Sequence, residues 1–75
     1  MSAVDALKRA CDLAGGQAPL AERIGTTQSQ VWYWLSRSKR GPKAEFVLAI
    51  ERETGVSRHE LRPDLYPPDA AEAAE

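Results

Sequence analysis

Gly25 divides the most strongly patterned part of the chain, Gln17–Ser36 (QAPLAERIGTTQSQVWYWLS), into two short helical segments. A glycine between two helical patterns takes the left-handed backbone conformation at low cost and stops the first helix abruptly. The pattern predicts one helix over Gln17–Ile24, with Leu20 and Ile24 on one face, and a second over Thr27–Ser36. Pro19 falls in the first turn of the earlier helix, where its missing N–H costs little. Thr26 or Thr27 supplies a side-chain oxygen to cap the later one.

A helix, a tight glycine turn and a second helix make the helix-turn-helix unit, whose second helix enters the major groove of DNA. Projected at about 100° per residue, Val31, Trp34 and Leu35 fall in one sector, the expected buried face. Ser29, Trp32, Tyr33 and Ser36 point elsewhere, and Gln28 stands at the helix start. This outer face carries amide, hydroxyl and aromatic groups without charge, which suits base edges and thymine methyls better than open solvent. Adjacent aromatics are more often core than contact residues. Trp32 and Tyr33, however, lie about 160° and 100° from Trp34 around the helix, so at least one faces outward. Thr27, Gln28, Ser29, Trp32 and Tyr33 are therefore the expected base-reading set. Adenine is the favoured partner of Gln28, because an amide pairs with it bidentately.

The net charge of −1 argues superficially against a polyanionic partner, but its distribution does not. Five basic residues (Arg23, Arg37, Lys39, Arg40 and Lys43) and no acidic one occur from Arg23 to Lys43. After Tyr66 only acidic charges remain: Asp69, Glu72 and Glu75. A charge run is usually a solvated loop. Because this one directly follows the reading helix, phosphate contact is the better expectation for Ser36, Arg37, Lys39, Arg40 and Lys43.

The remaining chain supplies a platform. Val4, Leu7, Cys11 and Ala14 recur at helical spacing and predict a first helix over Met1–Ala14, capped by Ser2 with Asp5 and ended by Gly15-Gly16. Cys11 on that stripe reads as a small core residue. Gly41 and Pro42 break the chain again, with Pro42 suited to the first turn of a helix over Lys43–Thr54 that buries Phe46, Val47 and Ile50. Ser57-Arg58-His59-Glu60 resembles a capping box for a last short helix carrying Leu61 inward. His59 is expected in solvent. Arg58 is either a phosphate contact or an exposed first-turn residue. Pro63, Pro67 and Pro68 forbid further helix and leave an extended strap in which Leu65 and Tyr66 pack back on the domain or across a dimer. Leu48, Leu65 and Tyr66, which lack an evident place in the core, are the candidate contacts of a homodimer. Residues 1–66 form the expected domain and 67–75 a mobile Pro/acidic tail.

Gln17, Ala21, Gly25, Gln28, Ser29, Val31 and Trp34 also stand at the spacing of the Cro/repressor helix-turn-helix family. That family's pattern has Gln first, a small residue fifth, Gly ninth and a β-branched residue fifteenth. The run Gln28-Ser29-Gln30-Val31 resembles the start of a phage-repressor recognition helix. Gly55-Val56 and Leu61-Arg62-Pro63-Asp64-Leu65-Tyr66-Pro67 are similar to the end of small YdaS/Cro-like prophage regulators. The resemblance covers roughly residues 3–67. It implies an all-α, lambda-repressor-like bundle of about five short helices and a transcriptional regulator acting on double-stranded operator DNA. It also implies that Gln17, whose plain reading is a solvated first-turn residue, contacts phosphate.

Other functional classes fit less well. Seventy-five residues allow one domain with a small core. One Cys, one His, scattered carboxylates and no glycine-rich phosphate loop speak against an enzyme, a metal site or a cofactor. No signal peptide or membrane span is visible, so a cytoplasmic, nucleoid-associated protein is expected. The main alternative is an antitoxin-like module that sequesters a toxin-like partner and represses its own promoter. Such a groove-binding module would show an outer apolar stripe.

Overall fold

The computed structural model describes residues 2–67. The first helix, α1 (Ala3–Ala14), starts from Ser2, whose Oγ accepts from the Asp5 N–H at 3.2 Å. The Ser2 N–H returns a bond to the Asp5 carboxylate at 3.3 Å. That backbone bond, with the hydroxyl bond beside it, holds the Asp5 carboxyl below its ordinary range. Ala3, Ala6, Leu7, Ala10, Cys11 and Ala14 form the buried face. Burial raises the pKa of the Cys11 thiol, in keeping with a core role. Position 1 of the expected Met1–Ala14 helix lies outside the described residues, as does the tail beyond 67.

Helix α2 (Gln17–Ile24) ends at Gly25 with φ +82°, whose N–H donates to the Ala21 carbonyl at 3.0 Å. Thr27 then caps α3 (Gln28–Ser36), its Oγ1 accepting from the Gln30 N–H at 3.2 Å. The two helices pack directly against each other, with α1 in contact with both. Their shared interior joins Leu7, Leu20, Val31, Val47, Ile50 and Leu61, all fully buried, with Trp34 beside them.

Beyond the 37–43 loop, the expected helix over Lys43–Thr54 is divided. Ala44–Phe46 forms a tight 3₁₀ turn and α4 spans Val47–Thr54. The Phe46 N–H donates three residues back to Lys43, and its half-buried ring lies 5.5 Å from Trp34, tilted by 44°. Pro42 is not in a helical first turn: it precedes the Lys43 cap and is fully buried. Helix α5 (Arg58–Leu61) closes the bundle against α1 and α4.

The C-terminal segment corrects four expectations. Ser57 caps α5 by accepting from His59, while Glu60 pairs with Arg9 of α1, so no reciprocal capping box forms. His59 is only half exposed, and its Nδ1–H donates to the Tyr66 carbonyl at 2.8 Å. Arg58 is held by the Glu51 carboxylate, with Nη2 at 2.8 Å, and its guanidinium sits 5.7 Å from the Tyr66 ring centre. Its hydrogen bonds hold the Glu51 carboxyl below its usual range. Tyr66 is thereby packed against the core, which gives it an intramolecular role, whereas Leu48 and Leu65 remain exposed.

Candidate nucleic-acid interface

Helix α3 presents two chemically distinct sides. Val31 and Trp34 are buried and Leu35 is half buried, anchoring the helix in the core. Gln28, Ser29, Gln30, Trp32, Tyr33 and Ser36 are exposed, Trp32 at 49% and Tyr33 at 54%. Large aromatic rings left in water on a well-anchored helix form a surface suited to contact. Gln28, Ser29, Trp32 and Tyr33 line one shallow hollow on this side. Thr27, Ser29, Gln30 and Tyr33 line a second.

Two grooves border the helix. On one side Gln17, at the start of α2, shares a groove with Lys8, Asp12, Trp32, Leu35 and Ser36. The α2 start has no side-chain cap, so its free N–H groups add to the polar character of that border. On the other side Gln30, Tyr33 and Ser38 share a hollow with Arg40, Lys43 and Arg62. The expected base-reading residues thus lie on α3 or at its cap, Gln17, Ser36, Arg40 and Lys43 line its borders, Arg37 ends the helix, and the loop residues Arg37, Lys39, Arg40 and Lys43 are exposed. Gln30 and Lys8 line these borders too and are not among the expected contacts. The α3 projection already puts Gln30 about 60° from Tyr33 on the outer side. Lys8 depends on which flank of α1 meets α3, a tertiary fact with no local signal.

The cations divide by partner. Arg58 and Arg62 have carboxylates at 2.8 and 2.7 Å, Arg52 has one at 3.4 Å, and Arg9 pairs with Glu60. Lys43 has only a loose contact with Glu45 at 3.5 Å, both groups more than half exposed, which water screens strongly. Among the described residues, Lys8, Arg23, Arg37, Lys39 and Arg40 form no ion pair. Of these, Lys8 and Arg40 line the grooves beside α3, and Arg37 and Lys39 follow it in the exposed loop, so positive charge without an ion pair lies around α3, where a polyanion would meet it. No group of three or more His, Cys, Asp or Glu side chains able to hold a metal occurs among the described residues. No helix among them is long and apolar enough to cross a membrane.

A family model described as "Bacterial toxin YdaS" matches residues 7–70. A protein of Escherichia coli strain K12 described as "Putative transcriptional regulator YdaS" is 40% identical over 60 residues, covering 77% of this chain. The chain spans 60% of that relative's length. No solved structure matches the chain.

Proposed function

The chain belongs to the YdaS family, and from that premise we propose that it is a sequence-specific, double-stranded DNA-binding regulator of transcription, a Cro-like repressor with α3 in the major groove. The observation that carries this reading is the uncharged amide, hydroxyl and aromatic face of α3, followed by Arg37, Lys39 and Arg40, which form no ion pair, and Lys43, whose contact with Glu45 is loose. The regulatory description of the E. coli relative supports it. Gln28 reads a base edge, with Thr27, Ser29, Trp32 and Tyr33 adding hydroxyl and methyl contacts. Gln17, Ser36, Arg37, Lys39, Arg40 and Lys43 set register on the phosphates, and Lys8 and Gln30 extend the two borders. The protein acts in the cytoplasm on the nucleoid, as a homodimer assembled on its operator.

Selection of a preferred site from random duplex, followed by titration of variants, tests the assignment. Gln28→Ala is expected to cost about 1–3 kcal/mol on the preferred site and little on random DNA. Arg40→Ala is expected to weaken both alike and lower the salt slope by about 1. Equal losses for Gln28→Ala on the two DNAs would remove Gln28 from the reading set.

The family's description as a toxin favours a second reading, in which the Trp32–Tyr33 surface meets a protein of a toxin–antitoxin pair. Growth arrest on induced expression that persists in Gln28→Ala and Arg40→Ala variants would support that reading over DNA binding.

A further inference from the structure

Gly41-Pro42 is the one part of the 37–43 loop that enters the interior. Gly41 has φ +91°, and a Cβ built on it would stand 2.6 Å from the Leu61 carbonyl oxygen and 3.0 Å from the Ala3 Cβ. The loop backbone is therefore pressed against the first turn of α1 and the end of α5. Next to it the Pro42 carbonyl accepts from Arg62 Nη1 at 2.9 Å, a bond buried within the fold. Arg62 is itself only 9% exposed. The rest of its fork is committed to Asp64, through Nε at 2.9 Å and Nη2 at 2.7 Å. On the solvent side of this junction Ser38 Oγ donates to the Gly41 carbonyl at 3.1 Å. Arg40 and Lys43 flank the buried pair and share a hollow with Arg62, Gln30 and Tyr33.

We propose that Arg62 is a positioning residue for DNA binding: it latches the Pro42 carbonyl and so fixes the phosphate-facing 37–43 loop beside α3, without itself touching DNA. The inference rests on the duplex-binding reading of α3. Its physical basis is the occupancy of the guanidinium, all three of whose nitrogens are engaged, Nη1 with one carbonyl and Nε and Nη2 with one bidentate carboxylate, using three of its five N–H donors. Little is left for a phosphate. Loop cations held in place lose less conformational entropy when they meet phosphates than cations on a free loop. The latch also lies far from α3 in sequence, so the C-terminal strap governs contacts made from the middle of the chain.

Titration of duplex DNA over a range of salt concentrations, using the full chain and only variants whose helical signal matches the wild type, tests the proposal. Arg62→Met is expected to weaken specific and random DNA about tenfold and to lower the salt slope by about 1–2, as contacts from the loop are lost. Arg62→Lys keeps the charge but lacks the planar fork that reaches the Pro42 carbonyl while gripping Asp64 bidentately, so it is expected to fall toward Arg62→Met. If Arg62→Met unfolds the domain, Asp64→Asn serves instead, because it removes only the group that aims the fork; a smaller drop in slope is expected. In a Lys39→Ala/Arg40→Ala background the Arg62→Met effect should shrink markedly, since the contacts it supports are already gone. An unchanged slope in Arg62→Met, or in Asp64→Asn where it replaces it, would overturn the latch alone. A wild-type slope in Arg62→Lys would show that Arg62 contacts phosphate directly, and full additivity with the loop variant would reduce it to general stability. Wild-type protein that binds no duplex would overturn both this inference and the reading beneath it.

Discussion

Trp32 and Trp34 are two positions apart and occupy opposite environments, at 49% and 3% exposure. Trp34 packs on Phe46 and on the core shared by α1, α2 and α4. Trp34→Ala is expected to cost about 3–5 kcal/mol, enough to unfold so small a domain or nearly so. Trp32→Ala removes a half-solvated ring and is expected to shift the melting temperature little while weakening specific DNA binding. Thermal melts of the two variants decide it; equal destabilisation would place both rings in the core and remove Trp32 from the reading face. Angular projection resolved this pair because α3 is regular and its inner side holds three apolar residues. It could not resolve His59, Arg58 or Tyr66. Their partners are one another, or residues such as Glu51 that only the bend between α4 and α5 brings near.

At the scale of elements, punctuation was the legible part. Glycines end α1, α2 and α4 in the left-handed conformation, and those boundaries match the sequence reading. The 3₁₀ entry into α4 was not legible, since apolar spacing over so few residues does not distinguish it from an α-helical turn. The α5 cap was misread because Glu60, correctly spaced for a capping box, is drawn to Arg9, and no local pattern records a partner 51 positions away. Two glycines that look alike in sequence should also respond differently. At Gly25 an added Cβ meets nothing within 4 Å, so Gly25→Ala is expected to cost only left-handed strain, about 1–2 kcal/mol. At Gly41 the same strain is joined by overlap with the Leu61 carbonyl, so Gly41→Ala should destabilise clearly more in chemical unfolding. Equal losses would mean that the loop yields freely. The strap has its own pH signature. The guanidinium of Arg62 holds the Asp64 carboxyl down at about 2, against an ordinary 3.8. A depressed carboxyl stabilises the fold above its ordinary value and loses that contribution as pH falls toward 2. Unfolding curves should therefore show a drop in stability between about pH 4 and pH 2 that is smaller in Asp64→Asn.

For the whole molecule, the proposed assembly on DNA is motivated by how little one reading helix could discriminate. Each base contact is worth about 1–3 kcal/mol, against a large excess of random sequence. A two-fold dimer doubles the contacts and centres its half-sites about 10 base pairs apart. Leu48 and Leu65, at 48% and 45% exposure, remain the candidates for that contact now that Tyr66 is committed inward, and Leu13 of α1, at 61%, is a further exposed apolar side chain. Leu48→Asp or Leu65→Asp is expected to lower cooperativity on a palindromic site with half-site affinity nearly unchanged. Sedimentation of the complex would rule the dimer out if it saturates at one chain per full site. The separation of charge from the reading helix has a further consequence for promoter choice. With no ionised side chain on Gln28–Ser36, preferred and random DNA would, on the proposed function, draw on the same surrounding cations. A rise in potassium concentration would then weaken both kinds of complex in proportion and leave their ratio almost constant. A cell under osmotic stress would change how much of this protein is bound, but not which operator it prefers.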